Sequence, residues 1–106
     1  MKQVQIVPRD GFNLYGALVG RELELRKMKR GTFRRVGARK RDAATWKHKE
    51  YKGRVKVARG LSGIVIAEIR SRADPGEEWK IFHAFLGFID REFGENLSAI
   101  NVQFNP

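Results

Sequence analysis

Between Arg34 and Arg59 the chain sets eleven cationic side chains around Trp46, His48 and Tyr51. Cations at that density suit phosphate, and flat rings suit bases or grooves. Alternation along Thr45–Tyr51 puts Lys47 and Lys49 on one face of a strand, with Trp46, His48 and Glu50 on the other. If Arg54, Lys56 and Ala58 pair opposite Lys47 and Lys49, one sheet face becomes a row of positive charge. Like charges directly across strands destabilise a sheet, so such a row points to a polyanionic partner. The candidate nucleic-acid contacts are Arg34, Arg35, Arg39, Lys40, Arg41, Lys47, Lys49, Lys52, Arg54 and Lys56. Of these, Arg34-Arg35 and Lys40-Arg41 lie in or beside a loop over 37–44, placed for phosphate. Trp46 is expected in the core rather than as a stacking platform. The plain alternative is a solvated basic surface without a partner.

A second constellation is Ile64-Val65-Ile66-Ala67-Glu68-Ile69-Arg70, an apolar strand carrying a carboxylate two residues before a cation, followed by a helix and another strand. Over the last 45 or so residues this order resembles the core of restriction-endonuclease-like nucleases. The resemblance implies Glu68 as a divalent-metal ligand. It departs from that pattern in two ways. Arg70 stands where a lysine would help activate water, and a guanidinium is no general base at ordinary pH. No aspartate ends a preceding strand, Asp42 lying in a loop. The plain reading of Glu68 is a pair with a neighbouring basic strand.

Other chemistries find less support. His48 and His83 are far apart and no cysteine accompanies them, which excludes disulfides, thiolate nucleophiles and finger-type zinc sites. No Gly-rich phosphate loop precedes a helix, and no Ser/His/Asp set can be argued. Arg30-Gly31-Thr32-Phe33 and Lys52-Gly53-Arg54-Val55 echo the RNA-recognition strand pattern but lack its pair of stacking aromatics. No cofactor is expected.

The charge is +10 overall and unevenly spread. Residues 21–60 hold 16 basic against four acidic residues, while 61–106 hold four against seven. The field of the middle segment reaches about 8–10 Å at physiological salt. With 106 residues and 42% apolar content, one domain over 1–106 is expected, with an ordinary core. No run reaches the roughly 18 apolar residues of a membrane span, and Met1–Val7 is too polar for a signal peptide. A cytoplasmic or nucleoid-associated protein is the expectation.

The elements that must position these residues follow from periodicity. Lys2–Val7 alternates as a strand, Pro8-Arg9-Asp10-Gly11 signals a turn, and Phe12–Val19 reads as a return strand with a bulge at Gly16. Arg21–Arg30 fits a strand through Leu23 and Leu25, or a short helix through Leu25 and Met28; the strand is preferred. A helix there would move the basic surface. Thr32–Val36, Thr45–Tyr51, Arg54–Arg59 and Ile64–Arg70 follow as strands, with Lys52-Gly53 as a tight hairpin. Asp74 as N-cap, Pro75 at the first position and Glu77 three residues after the cap open a helix. Trp79, Phe82, Leu86, Ile89 and Phe93 draw its apolar stripe, and Gly94 ends it. Phe85 and Phe88 lie beside that stripe, so the helix is apolar over more than half its girth; homodimerisation through it is a second candidate function. Glu77, Glu78, Asp90, Glu92 and Glu95 read as a solvated acidic face. Ser98–Phe104 is the last strand, with Ile100, Val102 and Phe104 facing in.

The expected fold is α+β: a curled, mostly antiparallel sheet or half-barrel of five to seven strands, with one amphipathic helix over about 75–93 before a C-terminal strand. The leading functional expectation is a non-catalytic, largely sequence-independent nucleic-acid-binding module for DNA or RNA. A protein-interaction module for an acidic partner or a second copy is the alternative, and a divalent-metal nuclease using Glu68 comes third.

Overall fold

The computed structural model describes residues 1–38, 40–71 and 75–106. Six strands form one curled, unclosed antiparallel sheet: β1 (Lys2–Pro8), β2 (Phe33–Val36), β3 (Ala43–His48), β4 (Arg54–Arg59), β5 (Val65–Arg70) and β6 (Leu97–Phe104). Their order is β2-β3-β4-β5-β1-β6, so β2 and β6 are the edges. Two helices, α1 (Leu14–Lys27) and α2 (Pro75–Phe93), cover one face. The α+β class, the antiparallel sheet and the strand after the long helix are as the sequence implies.

The second helix corrects the reading of 12–30. Leu14, Tyr15, Leu18, Glu22 and Leu25 are buried, spaced for one helical face. Asn13 caps the start, its side-chain oxygen accepting from Gly16 N–H at 3.1 Å. The strand reading fails because the buried stripe carries a carboxylate. Glu22 is 4% exposed, with Arg26 Nε at 3.3 Å one turn on. Arg21 then clamps the two helices, its Nε donating to Glu92 at 3.1 Å. That bond and the Glu92 charge hold the guanidinium's pKa further above its usual value, against a smaller opposing effect of burial.

The covered sheet face carries Val4 and Ile6 of β1, Val55 and Val57 of β4, and Val65, Ala67 and Ile69 of β5, all fully buried. The period-2 reading of Ile64–Arg70 therefore holds. At the β2–β3 end, Phe33, Trp46, Phe85 and Phe88 make an aromatic nest with centroids 5.8–6.4 Å apart. Helix α2 is rotated from its expected stripe. Ile81, Phe82, Phe85, Phe88, Ile89 and Phe93 are buried, while Trp79 is 55% exposed and lies tilted against His83. Three acids of the expected solvated face are engaged. Glu78 is buried with Lys2 Nζ at 3.6 Å, and Glu92 holds Arg21. Glu77 accepts from the backbone N–H of Lys52 at 3.4 Å, tying the β3–β4 connection to the helix. Asp74, the expected cap, lies outside the described residues. Gly94 opens a short 3-10 turn, Gly94–Asn96, in place of a left-handed stop. The hairpin after β3 is a five-residue connection, 49–53, because β3 ends at His48. Ile100 and Val102 pack against the core, but Phe104 is 64% exposed although its ring meets Phe82 at 5.9 Å.

Candidate nucleic-acid interface

Because side chains alternate along a strand, the residues that escape the core on β1–β6 share the face no helix covers. Arg34 on β2 stands opposite Lys47 on β3, and Arg54 on β4 stands opposite Arg70 on β5. Beside them, two residues along the strands, runs the register Thr45, Lys56, Glu68, Gln3, Gln103, one residue from each of β3, β4, β5, β1 and β6. Neighbouring strands lie about 4.8 Å apart, so the cations from β2 to β5 cover about 14 Å. Among the described residues, Arg34, Lys47, Arg54, Lys56 and Arg70 make no ion pair within 4.0 Å. Among the described residues, Glu68 is the single acid on the strands of this face, and it faces Lys56 in register.

The curl of the sheet and the β3–β4 connection enclose a groove of about 750 Å³, lined in part by Thr45, Lys52, Arg54, Lys56, Glu68 and Arg70. Gly53 is among the residues that line it. At φ 138° its backbone favours glycine, and a Cβ there would sit 2.5 Å from the Arg70 carbonyl and 2.6 Å from Ile81 Cδ1. A smaller depression of about 330 Å³ lies among Arg34, Lys47, His48 and Lys49.

The structure thus brings Arg34, Lys47, Arg54 and Lys56 onto one face, with Lys52 and Lys49 on its rim. Lys40 and Arg41 are exposed in the β2–β3 connection at the far end of β3, where Tyr15 Oη donates to the Lys40 carbonyl at 3.2 Å. Arg35 is placed apart from them. Its register partner is Trp46, which puts it on the helix side, half-buried, its Nε without a hydrogen-bond partner among the described residues. Arg39 lies outside the described residues. Sequence reasoning missed Arg70 as part of this cationic face, and also the amides Gln3, Gln5, Asn101 and Gln103, which pair in register on the same face. The alternation of β1 and β6 carried the signal for those amides. That Arg70 joins the row follows from strand order alone.

The aromatic residues of the middle segment do not reach this face. Trp46 is 1% exposed, and His48 is buried edge-on to Phe33 and stacked on Tyr51 at 4.5 Å. His48 Nδ1 accepts from the backbone N–H groups of Glu50 and Tyr51 at 3.0 and 3.2 Å, which requires an unprotonated Nδ1. Burial lowers its pKa below 6.5, against a smaller opposing pull from Glu50. The folded pKa is below the unfolded one. The stability this ring contributes is therefore full above about pH 6.5 and is lost as pH falls through the folded value. Melting curves between about pH 8 and about pH 5 should show this loss. His48→Asn, which keeps an acceptor near Nδ1 but cannot titrate, should flatten it; an unchanged pH profile would refute the assignment.

Chemically, the face offers guanidinium forks and ammonium groups to an anion, with amides to one side. Among the described residues no three His, Asp or Glu side chains gather as metal ligands. No helix of the described residues is long and apolar enough to cross a membrane. No protein-family model, curated protein or solved structure matches the chain.

Proposed function

We propose that this chain is a non-catalytic module that holds nucleic acid, preferentially duplex, by its phosphates against the open face of the sheet. One observation carries the reading: two like-charged pairs, Arg34–Lys47 and Arg54–Arg70, stand directly opposite one another, with no ion pair among the described residues to relieve them. Each such pair costs the sheet about 0.2–1 kcal/mol, a cost that a bound polyanion offsets. A span of about 14 Å exceeds the roughly 12 Å width of the duplex major groove, so the row can reach phosphates on both of its rims. The face carries no aromatic side chain among the described residues, so unstacked bases gain no platform there. Sequence-independent contact is the consequence.

Fluorescence-anisotropy titration against mixed-sequence duplex DNA, single-stranded DNA and RNA, with heparin as control, tests this over a salt series. Five contacts give a slope of log K against log salt of about −4.5, and recruitment of Lys40, Arg41 and Lys52 would steepen it to about −7. Duplex should bind more tightly than single strands. Equal binding of heparin and every nucleic acid, or no binding, would sink the proposal in favour of an acidic protein partner. Metal-dependent cleavage abolished by Glu68→Gln would replace it with the nuclease reading.

A further inference from the structure

The two edges of the sheet differ. Edge strands offer unpaired backbone groups to other chains and are ordinarily blunted by shortness, charge or proline. β2 is four residues long and carries Arg34 and Arg35. β6 is eight residues long, Leu-Ser-Ala-Ile-Asn-Val-Gln-Phe, with no charge and no proline. Asn105 N–H donates to the Met1 carbonyl at 3.0 Å. By the alternation of an antiparallel ladder, Asn101 and Gln103 turn their backbone groups toward β1, while Ile100, Val102 and Phe104 turn theirs away from the sheet.

The helix side of this edge is apolar. Phe104 is 64% exposed and touches Phe82. Trp79, His83 and Leu86 share that flank of α2 by helical spacing, Trp79 exposed and Leu86 half-buried. Leu86 packs partly against the core, and Trp79 is left exposed outside it.

We propose that β6 pairs with β6 of a second copy of this chain about a twofold axis, making one continuous sheet across an isologous dimer. The edge is self-complementary in the register centred on Asn101. Ile100 then faces Val102 of the second copy, Asn101 faces Asn101, and small Ser98 leaves room for Phe104. Helix-side residues meet helix-side residues, as a twofold axis through the sheet requires. Charge selects this edge for two molecules of net charge +10. β6 has no cation, and the nearest one on β1, Lys2, is faced by Glu78 at 3.6 Å. Joining at β6 keeps the basic rows on β2–β5 apart, whereas any contact through β2 sets arginines against the incoming chain. This pairing is independent of what the basic face binds.

Sedimentation velocity of the full chain, from low to high micromolar, tests the pairing. The expected species is a dimer of 12.2 kDa subunits. Val102→Pro removes an outward N–H, which an edge strand tolerates in the monomer, and should leave only monomer. Asn101→Lys sets two like charges opposite each other at an exposed position and should weaken association about fivefold. Mixing Asn101→Lys with Asn101→Glu should restore association beyond either variant alone, which no loss of folding can mimic. A wild-type chain that stays monomeric, or a dimer indifferent to all three substitutions, overturns the proposal.

Discussion

Replacing Arg54 and Lys56 together by glutamine is expected to weaken duplex binding about 60-fold at roughly 0.1 M salt and to reduce the salt slope by about 1.8. Each phosphate contact contributes about 0.9 to that slope, so two contacts change affinity by nearly two decades between roughly 1 M and 0.1 M salt. The two residues alternate on β4 and stand opposite Arg70 and Glu68. They line the groove, so both contacts fall on one bound strand. Both side chains are exposed, and removing Arg54 relieves the like-charged pair with Arg70. Stability should therefore hold or rise slightly, and affinity and folding can be read separately. Arg91→Gln supplies the control. It removes one positive charge, half that of the double variant, from the exposed side of α2 and should leave the slope unchanged. If the double variant keeps the wild-type slope, the phosphates are held elsewhere, with the β2–β3 connection the next place to look.

The same register explains how far the site could be read from sequence. Lys47, Arg54 and Lys56 were legible because two adjacent strands alternate cleanly and a short connection joins them. Arg34 was legible as a cation but not by face. Arg34 and Arg35 are neighbours in a four-residue strand, and only the pairing of Arg35 with Trp46 shows which turns inward. Arg70 and the four amides depend on β5, β1 and β6 lying side by side, which sets residues far apart in the chain beside one another. β5 declared itself through β-branched residues at period two. α1 did not. Glu22 interrupts its apolar stripe, Gly16 and Gly20 imitate turn or bulge signals, and Val19 and Leu23 fall off the buried face. Its neutralising partner, Arg26, reads in sequence as one more cation of a basic segment. Counting Arg21 and Arg26 toward a nucleic-acid surface therefore overstates the field, since both are committed to carboxylates within the helical layer.

Helix α2 shows the same limit differently, and it carries the largest expected effect on stability. Its apolar residues cover two flanks, so periodicity alone draws two stripes and cannot choose which one the core takes. The sheet chooses. Phe33 and Trp46 project from β2 and β3, and Phe85 and Phe88 complete the nest with them. Phe85 is fully buried there. Phe85→Ala removes its ring from between Phe33 and Trp46 and leaves a cavity that a rigid sheet cannot close, at a cost of about 3–5 kcal/mol. Domains of this size are stable by about 5–15 kcal/mol in total, so the variant should stand near the edge of folding. Trp79→Ala deletes a larger side chain from the flank the core leaves open, and should change monomer stability by no more than about 0.5 kcal/mol. Urea denaturation of the monomeric Val102→Pro background, followed by the fluorescence of buried Trp46, isolates the two effects from association. The reverse order, with Trp79→Ala the more costly, would mean that α2 lies on its other flank, and the aromatic nest would have to be redrawn around it.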